Sequence, residues 1–344
     1  VPIGGCWSKP PEGQMNKKII YVLLAVLVVL VVVSYALKNL NRATSSPESL
    51  NELQVAFDPD MVTRIDVYKE AYPDSGLHFA KRESGWVVTN EFDSPAKEED
   101  VDKLLTDLNE VKGSIRAETA DLYDDFEIGD EQALQIRLSA ADSSELLHMY
   151  VGKGSGGREC FVRLSGSPTI YLADNNFISR FAAWNAPPEK KLPTNRWLEL
   201  RLCDIDRDAM TSFKITSGKN VYEFALLEEP SEDTLTPPTK AWKQIAPDKG
   251  KNLEESKIKS LSSSLAGLRA TSVADPSKRD EYGLDGQKYI LWAVDGGGST
   301  AVIDFGDKTG ENDDRYASVE GRDTVYLVNK STFERFFVKP FETD

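Results

Sequence analysis

From Phe57 onward the chain repeats itself once, and this duplication restricts its architecture more than any other feature of the sequence. The first copy opens FDPDMVTRIDV (Phe57 to Val67) and the second IDRDAMTSFKI (Ile205 to Ile215). An apolar-alternating hairpin follows in each, with Leu77-His78-Phe79-Ala80 answered by Val221-Tyr222-Glu223-Phe224. SGWVVTN around Trp86 is answered by KAWKQIA around Trp242. Each copy then carries an amphipathic stretch, Glu99 to Val111 and Ser256 to Leu268. Val101, Leu104, Leu105, Leu108 and Val111 match Ile258, Leu261, Leu265 and Leu268, and their three-four spacing places one apolar stripe on a helix. Ala133 to Gly152 answers Lys288 to Gly306, and Cys160 to Phe181 answers Arg315 to Phe336. Both pairs read as strands joined by polar turns, closing on a short helix. A period of about 150 residues is too long for a solenoid, so the expected fold class is α+β: two tandem copies of an antiparallel sheet with helices on one face.

Upstream lies a second constraint. Ile19 to Leu37 contains nineteen residues and no charge. A helix rising about 1.5 Å per residue needs roughly twenty such residues to cross a hydrocarbon layer, so the run is expected to be a transmembrane helix. Lys17 and Lys18 precede it; Lys38 and Arg42 follow. Ser34-Tyr35-Ala36 would suit cleavage after Ala36, but the run exceeds the length of a signal-peptide core, which favours an uncleaved signal anchor. A short basic start before a long acidic domain favours an extracytoplasmic C-terminus at the inner membrane. Residues 1–14 (VPIGGCWSKPPEGQ) have no strand or helix periodicity, and Met15 is the expected start, making them a misassigned or disordered leader.

The expected organisation is therefore leader 1–14, anchor 15–42, stalk 43–54, first copy 55–184, linker 185–199 and second copy 200–344. The linker segment NAPPEKKLPTNRW is rich in proline and charge. Trp184 and Trp197 flank it and are the interface candidates, either packing the copies together or, side by side, lining an aromatic cleft.

Composition narrows the chemistry. Forty-one Lys and Arg stand against 56 Asp and Glu, a net charge of −15, which repels phosphate backbones and argues against nucleic acid as a partner. Two histidines, His78 and His148, and three cysteines, Cys6, Cys160 and Cys203, exclude a Cys/His zinc cluster, a CxxC redox pair and a disulfide framework. A bridge between Cys160 and Cys203 would staple the copies, but buried free thiols are the simpler reading. Gly152-Lys153-Gly154-Ser155-Gly156-Gly157 lacks the order of a phosphate loop and reads as a hairpin. No GxSxG elbow is present. Both histidines fall in strand patterns and are absent from the second copy. Asp304 to Asp314 lacks the alternating carboxylates of a calcium loop. Asp58 and Asp60 recur as Asp206 and Asp208, which fits turn-forming carboxylates. No catalytic residue, cofactor site or metal site is expected.

The basic start and single span, FDPDMVTRIDV, SGWVVTN, the helix bearing Leu104 and Leu108, and the Ile170-Tyr171-Leu172 strand together resemble a bacterial family of membrane-anchored domains of unknown function, number four-three-four-zero. The resemblance covers nearly everything after Met15. Members often accompany gliding-motility-type ABC transporter components. That neighbourhood is an association and implies no activity; taken with the missing catalytic motifs, it makes a non-enzymatic accessory or scaffold protein of an ABC-type transport or envelope complex the expected function. Its expected partners are integral membrane proteins such as a permease and auxiliary subunits, with residues 19–37 in the membrane. An envelope protein binding a ligand or glycan is the alternative, and a hydrolase with an unfamiliar site is a more distant one.

Overall fold

Alternation of apolar and polar residues dictates strands over most of the duplicated region, and a computed structural model gives their arrangement. It describes residues 52–341 apart from 185, 186, 188, 230–238, 248–251 and 311. The leader, the run Ile19 to Leu37 and nearly all of the stalk lie outside the described residues. Among the described residues no helix is long and apolar enough to cross a membrane.

The first copy contains β1 (Arg64–Lys69), β2 (Tyr72–Arg82), β3 (Gly85–Val88), β4 (Ser94–Pro95), helix α1 (Glu98–Asn109), β5 (Gly113–Ala117) and the single-turn helix α2 (Tyr123–Phe126). It continues through β6 (Leu134–Ser139), β7 (Glu145–Ser155), β8 (Glu159–Leu164), β9 (Ile170–Ala173) and the single turn α3 (Phe177–Arg180). The second copy contains β10 (Met210–Ser217), β11 (Asn220–Glu229), β12 (Thr239–Ala246), α4 (Glu255–Ala266) and β13 (Ser272–Ala274). Then come β14 (Tyr289–Asp295), β15 (Thr300–Lys308), β16 (Arg315–Val319), β17 (Val325–Val328) and α5 (Lys330–Phe337).

The strand orders are β4-β3-β2-β1-β6-β7-β8-β9-β5 and β12-β11-β10-β14-β15-β16-β17-β13. Apart from β4 the two sheets match strand for strand. Trp86 in β3 and Trp242 in β12 occupy equivalent places, as do Tyr171 in β9 and Tyr326 in β17. Every paired strand is antiparallel. The fold is mostly β, two antiparallel sheets with few helices, which is a more sheet-rich outcome than the α+β expectation. The shortfall came from β5 and β13, short strands after each long helix that pair only with β9 and β17 and carry no alternating signature. The hairpin equivalence also moves by one residue. Phe79 pairs with Ile65 as Phe224 pairs with Phe213, so His78 corresponds to Glu223, not Tyr222.

Each sheet buries one face. Ile65, Val67, Leu77, Phe79, Ile136 and Met149 point inward in the first sheet, and Val101, Leu104, Leu105 and Leu108 of α1 belong to the same apolar core. Phe213, Ile215, Phe224, Leu291 and Ile303 do the same in the second, with Ile258, Leu261 and Leu265 of α4. One continuous apolar core joins both copies. Residues 197–202 strap them together. The Lys97 amide donates to the Trp197 carbonyl at 2.8 Å and the Glu199 amide to the Pro95 carbonyl at 2.8 Å. Further on, the Ala270 amide donates to the Leu200 carbonyl at 2.8 Å and the Leu202 amide to the Leu268 carbonyl at 2.9 Å. The segment predicted to be a linker thus ends in a ribbon bonded to both copies.

A glycine records the duplication at atomic detail. A Cβ at Gly152 would collide with the Phe126 carbonyl, and one at Gly306 with the equivalent Tyr282 carbonyl. The residues after those aromatics, Glu127 and Gly283, both take positive φ, 55° and 66°. The aromatics pack on equivalent partners, Phe126 on Phe161 and Tyr282 on Tyr316.

Candidate functional site

Strand alternation that points Ile65 and Val67 inward must point Asp66 and Tyr68 outward, yet both of these outward residues are buried. They are covered by other polar side chains. On the outer face of the first sheet, strand pairing aligns His78 of β2 with Asp66 of β1, Asp66 with Arg137 of β6, and Arg137 with His148 of β7. A second row aligns Tyr68, Gln135, Tyr150 and Arg163 across β1, β6, β7 and β8.

The bonding in these rows fixes protonation. Nδ1 of His78 lies 2.7 Å from Asp66 Oδ1 and its Nε2 lies 3.0 Å from the Pro73 carbonyl. An ionised carboxylate and a carbonyl can only accept, so both ring nitrogens carry protons and His78 is an imidazolium. Its bond to Asp66 raises its pKa above the ordinary 6.5, against a smaller opposing effect of burial. Arg64 adds a two-bond fork to Asp66, Nε to Oδ2 at 2.7 Å and Nη2 to Oδ1 at 3.0 Å. Burial pushes the Asp66 pKa up, but the bonds from His78 and Arg64 outweigh it and the carboxyl sits below its usual range.

His148 behaves oppositely. The Gln135 amide nitrogen donates to Glu70 Oε2 at 3.1 Å and to the Asp130 carbonyl at 2.9 Å, which leaves its oxygen to face His148 Nε2 at 2.9 Å. His148 therefore donates from Nε2, and its ring stacks on Tyr150 with centroids 4.5 Å apart. Burial, reinforced by the charge of Arg137, lowers its pKa. Arg163 is pinned beside it: its guanidinium lies 3.5 Å from the Tyr150 centroid and 4.7 Å from that of Tyr123. Its Nε donates to the Ile128 carbonyl at 2.9 Å, and it pairs with Asp130.

Arg137 is the member left short of partners. Its guanidinium lies 5.7 Å from the Tyr68 ring centroid, and its buried Nε makes no hydrogen bond, with Glu145 Oε2 at 3.4 Å. It lines a trench of about 860 Å³ together with Arg64, Lys81, Arg82, Asp66 and Glu145.

At the equivalent places of the second sheet stand Glu223, Lys214, Trp292 and Val302 in the first row, and Thr216, Ile290, Asp304 and Ser318 in the second. Lys214 pairs with Glu223 at 2.6 Å, reversing the signs of Asp66 and His78. The copies retained their apolar inner faces and diverged on the outer ones.

The residues singled out from the sequence are placed elsewhere. Trp197 is 1% exposed, stacked on Phe181 at 5.3 Å and edge-on to Phe79 at 5.4 Å, inside the core. Trp184 is 61% exposed on the rim of a 370 Å³ pocket that also includes Lys69, Gln132 and Lys153. The structure does not bring the two tryptophans into one cleft. Cys160 and Cys203 are buried free thiols, and burial raises the Cys160 pKa to about 11. Asp58 caps a turn, accepting from the Asp60 amide at 3.0 Å. Asp313, in the acidic loop, pairs with Lys308 at 3.3 Å and Lys330 at 2.9 Å. Among the described residues no group of three His, Cys, Asp or Glu side chains is arranged to hold a metal ion. The outer-face row escaped the sequence reading because its members lie on strands far apart in the chain. The one available signal was the presence of both histidines, at outward strand positions, in a single copy.

The arrangement is that of a duplicated, mostly β scaffold carrying a polar, preorganised sheet face on one copy. Residues 86–287, more than half of the chain, match the family described as Domain of unknown function (DUF4340), and the chain belongs to that family. The match begins at Trp86 in β3 and ends just before β14, so it runs across the strap between the copies. No curated protein and no solved structure matches the chain.

Proposed function

We propose that this chain is a membrane-anchored, extracytoplasmic accessory or scaffold protein that binds protein partners and performs no catalysis. The observation that carries this reading is the divergence of the outer faces on a duplicated core. Selection for folding alone would keep both inner faces, and one outer face would then be free to acquire a binding surface. The bonding of the first outer face supports recognition over reaction: both nitrogens of His78 are engaged as donors, and three bonds from His78 and Arg64 hold Asp66 as a carboxylate of lowered basicity, so the pair is a poor acceptor for a substrate proton. The span Ile19 to Leu37 would anchor the protein in the inner membrane, beside integral partners such as the permease and auxiliary subunits of an ABC-type transport or envelope complex. An acidic surface would steer it toward basic partner faces and away from anionic lipid.

Purification of the full chain from native membranes in mild detergent, compared with a chain reduced to residues 15–54, tests this. Partners recovered only with the duplicated region support the reading. Equal recovery with the span alone, or turnover of a substrate by the protein, overturns it. Exposed Trp184 beside its pocket favours a second reading, an envelope protein that stacks a sugar ring on an aromatic side chain. That reading requires Trp184→Ala to abolish glycan retention.

A further inference from the structure

The trench on the first outer face concentrates positive charge on an acidic protein. Arg64, Arg82 and Arg137 line it against Asp66 and Glu145, on a chain whose net charge is −15. Asp66 is bonded to Arg64 and His78, and makes no hydrogen bond to Arg137. Glu145 pairs with Arg137 Nε loosely, at 3.4 Å and without a hydrogen bond, and the Arg137 side chain remains 40% exposed. Arg82 is engaged only in an exposed pair with Asp93 at 3.1 Å, a contact of little strength in water. Between these cations the wall is made of small residues, Ala80, Ser139, Ala140, Ala141 and Ser143, which let a polypeptide backbone approach closely. On the second sheet Trp292 stands at the place of Arg137.

We propose that this trench binds an acidic, extended segment of a protein partner, whose carboxylates face Arg64, Arg82 and Arg137. Guanidinium groups match carboxylates in charge and in planar geometry. An extended chain presents alternate side chains to one side, which suits a trench with cations along it. The inference rests on the protein-docking reading above and supplies the chemistry of the docked segment.

The test uses the full chain in mild detergent and a fluorescent peptide of about eight residues alternating Glu and Thr, an extended-forming pattern. The neutral Gln-Thr peptide is the control, and micelles doped with phosphatidylglycerol are a separate arm. The acidic peptide should bind, weaken as salt rises, and lose roughly tenfold or more in affinity in Arg137→Gln. Ala141 is an exposed turn residue, so Ala141→Glu places a negative charge on the rim without touching the core and should also weaken binding. Lys214→Gln, on the other sheet, should leave it unchanged. Equal binding of the neutral peptide, competition by phosphatidylglycerol at equal strength, or indifference to both Arg137→Gln and Ala141→Glu would overturn the proposal. Absence of peptide binding while partners still co-purify through the duplicated region would overturn the trench and leave the docking reading standing.

Discussion

His78 and His148 share one row of the first outer face and titrate in opposite directions, which makes them separable by pH. His78 has its pKa raised by Asp66, so its stabilisation is complete below 6.5 and is lost as pH rises through the higher folded value. His148 has its pKa lowered by burial. Its unfolded state binds the proton more tightly, so folding is disfavoured as pH falls. In the parent protein these two contributions therefore make stability rise with pH below about 6.5 and fall with pH above it. His78→Asn should cost about 1–3 kcal/mol at pH 6 and leave stability that rises with pH. His148→Asn should leave stability that falls as pH rises. Urea titrations at a series of pH values check both, and equal slopes in the two variants would contradict the assignment. None of this was legible from the residues alone. Asp66 and His78 read as ordinary outward strand positions until the β1–β2 register set one against the other, and Arg137 joined them only through β1–β6 pairing.

Among the elements, the turn that leads into each central hairpin and the strap are the clearest points of stress. Gly152→Ala and Gly306→Ala each force a Cβ onto a backbone carbonyl and should destabilise by about 1–3 kcal/mol. Gly286→Ala meets open space and should stay within about 0.5 kcal/mol of the parent. Thermal melts of the three variants decide this, and a neutral Gly152→Ala would show that the Phe126 carbonyl can move aside. In the strap, Trp197→Ala removes a ring buried between Phe79 and Phe181 and should cost about 3–5 kcal/mol. The long helices and the Trp-bearing strands were readable because their buried residues obey a strict period. The strap carries such a period too, with Leu198, Leu200 and Leu202 buried around Glu199 and Arg201, but its bonding to one copy and then the other is made by backbone groups, which no side chain announces. Trp197, taken as a linker-flanking interface candidate, is a core residue for that reason: the ribbon carries it under β2.

For the whole molecule, the duplication explains why so much of the architecture could be anticipated and so little of the binding chemistry. Inner-face residues are constrained alike in both copies, so Val67, Ile136 and Met149 are echoed by Ile215, Leu291 and Ile303 and reveal the repeat. The outer faces share a cross-strand ion pair of reversed sign, Asp66 with His78 against Lys214 with Glu223, and otherwise differ residue by residue. If the first outer face is the docking surface, a probe placed there should meet a partner that a probe on the second does not. The direct measurement is photo-crosslinking in native membranes, with a photoreactive residue replacing Ala141 in the turn after β6 of the full chain, or replacing Gly297 in the equivalent turn after β14. The account predicts a discrete crosslink to an integral membrane protein from position 141, reduced by Arg137→Gln, and none from position 297. No crosslink from position 141, or the same crosslinks from both positions, would contradict it.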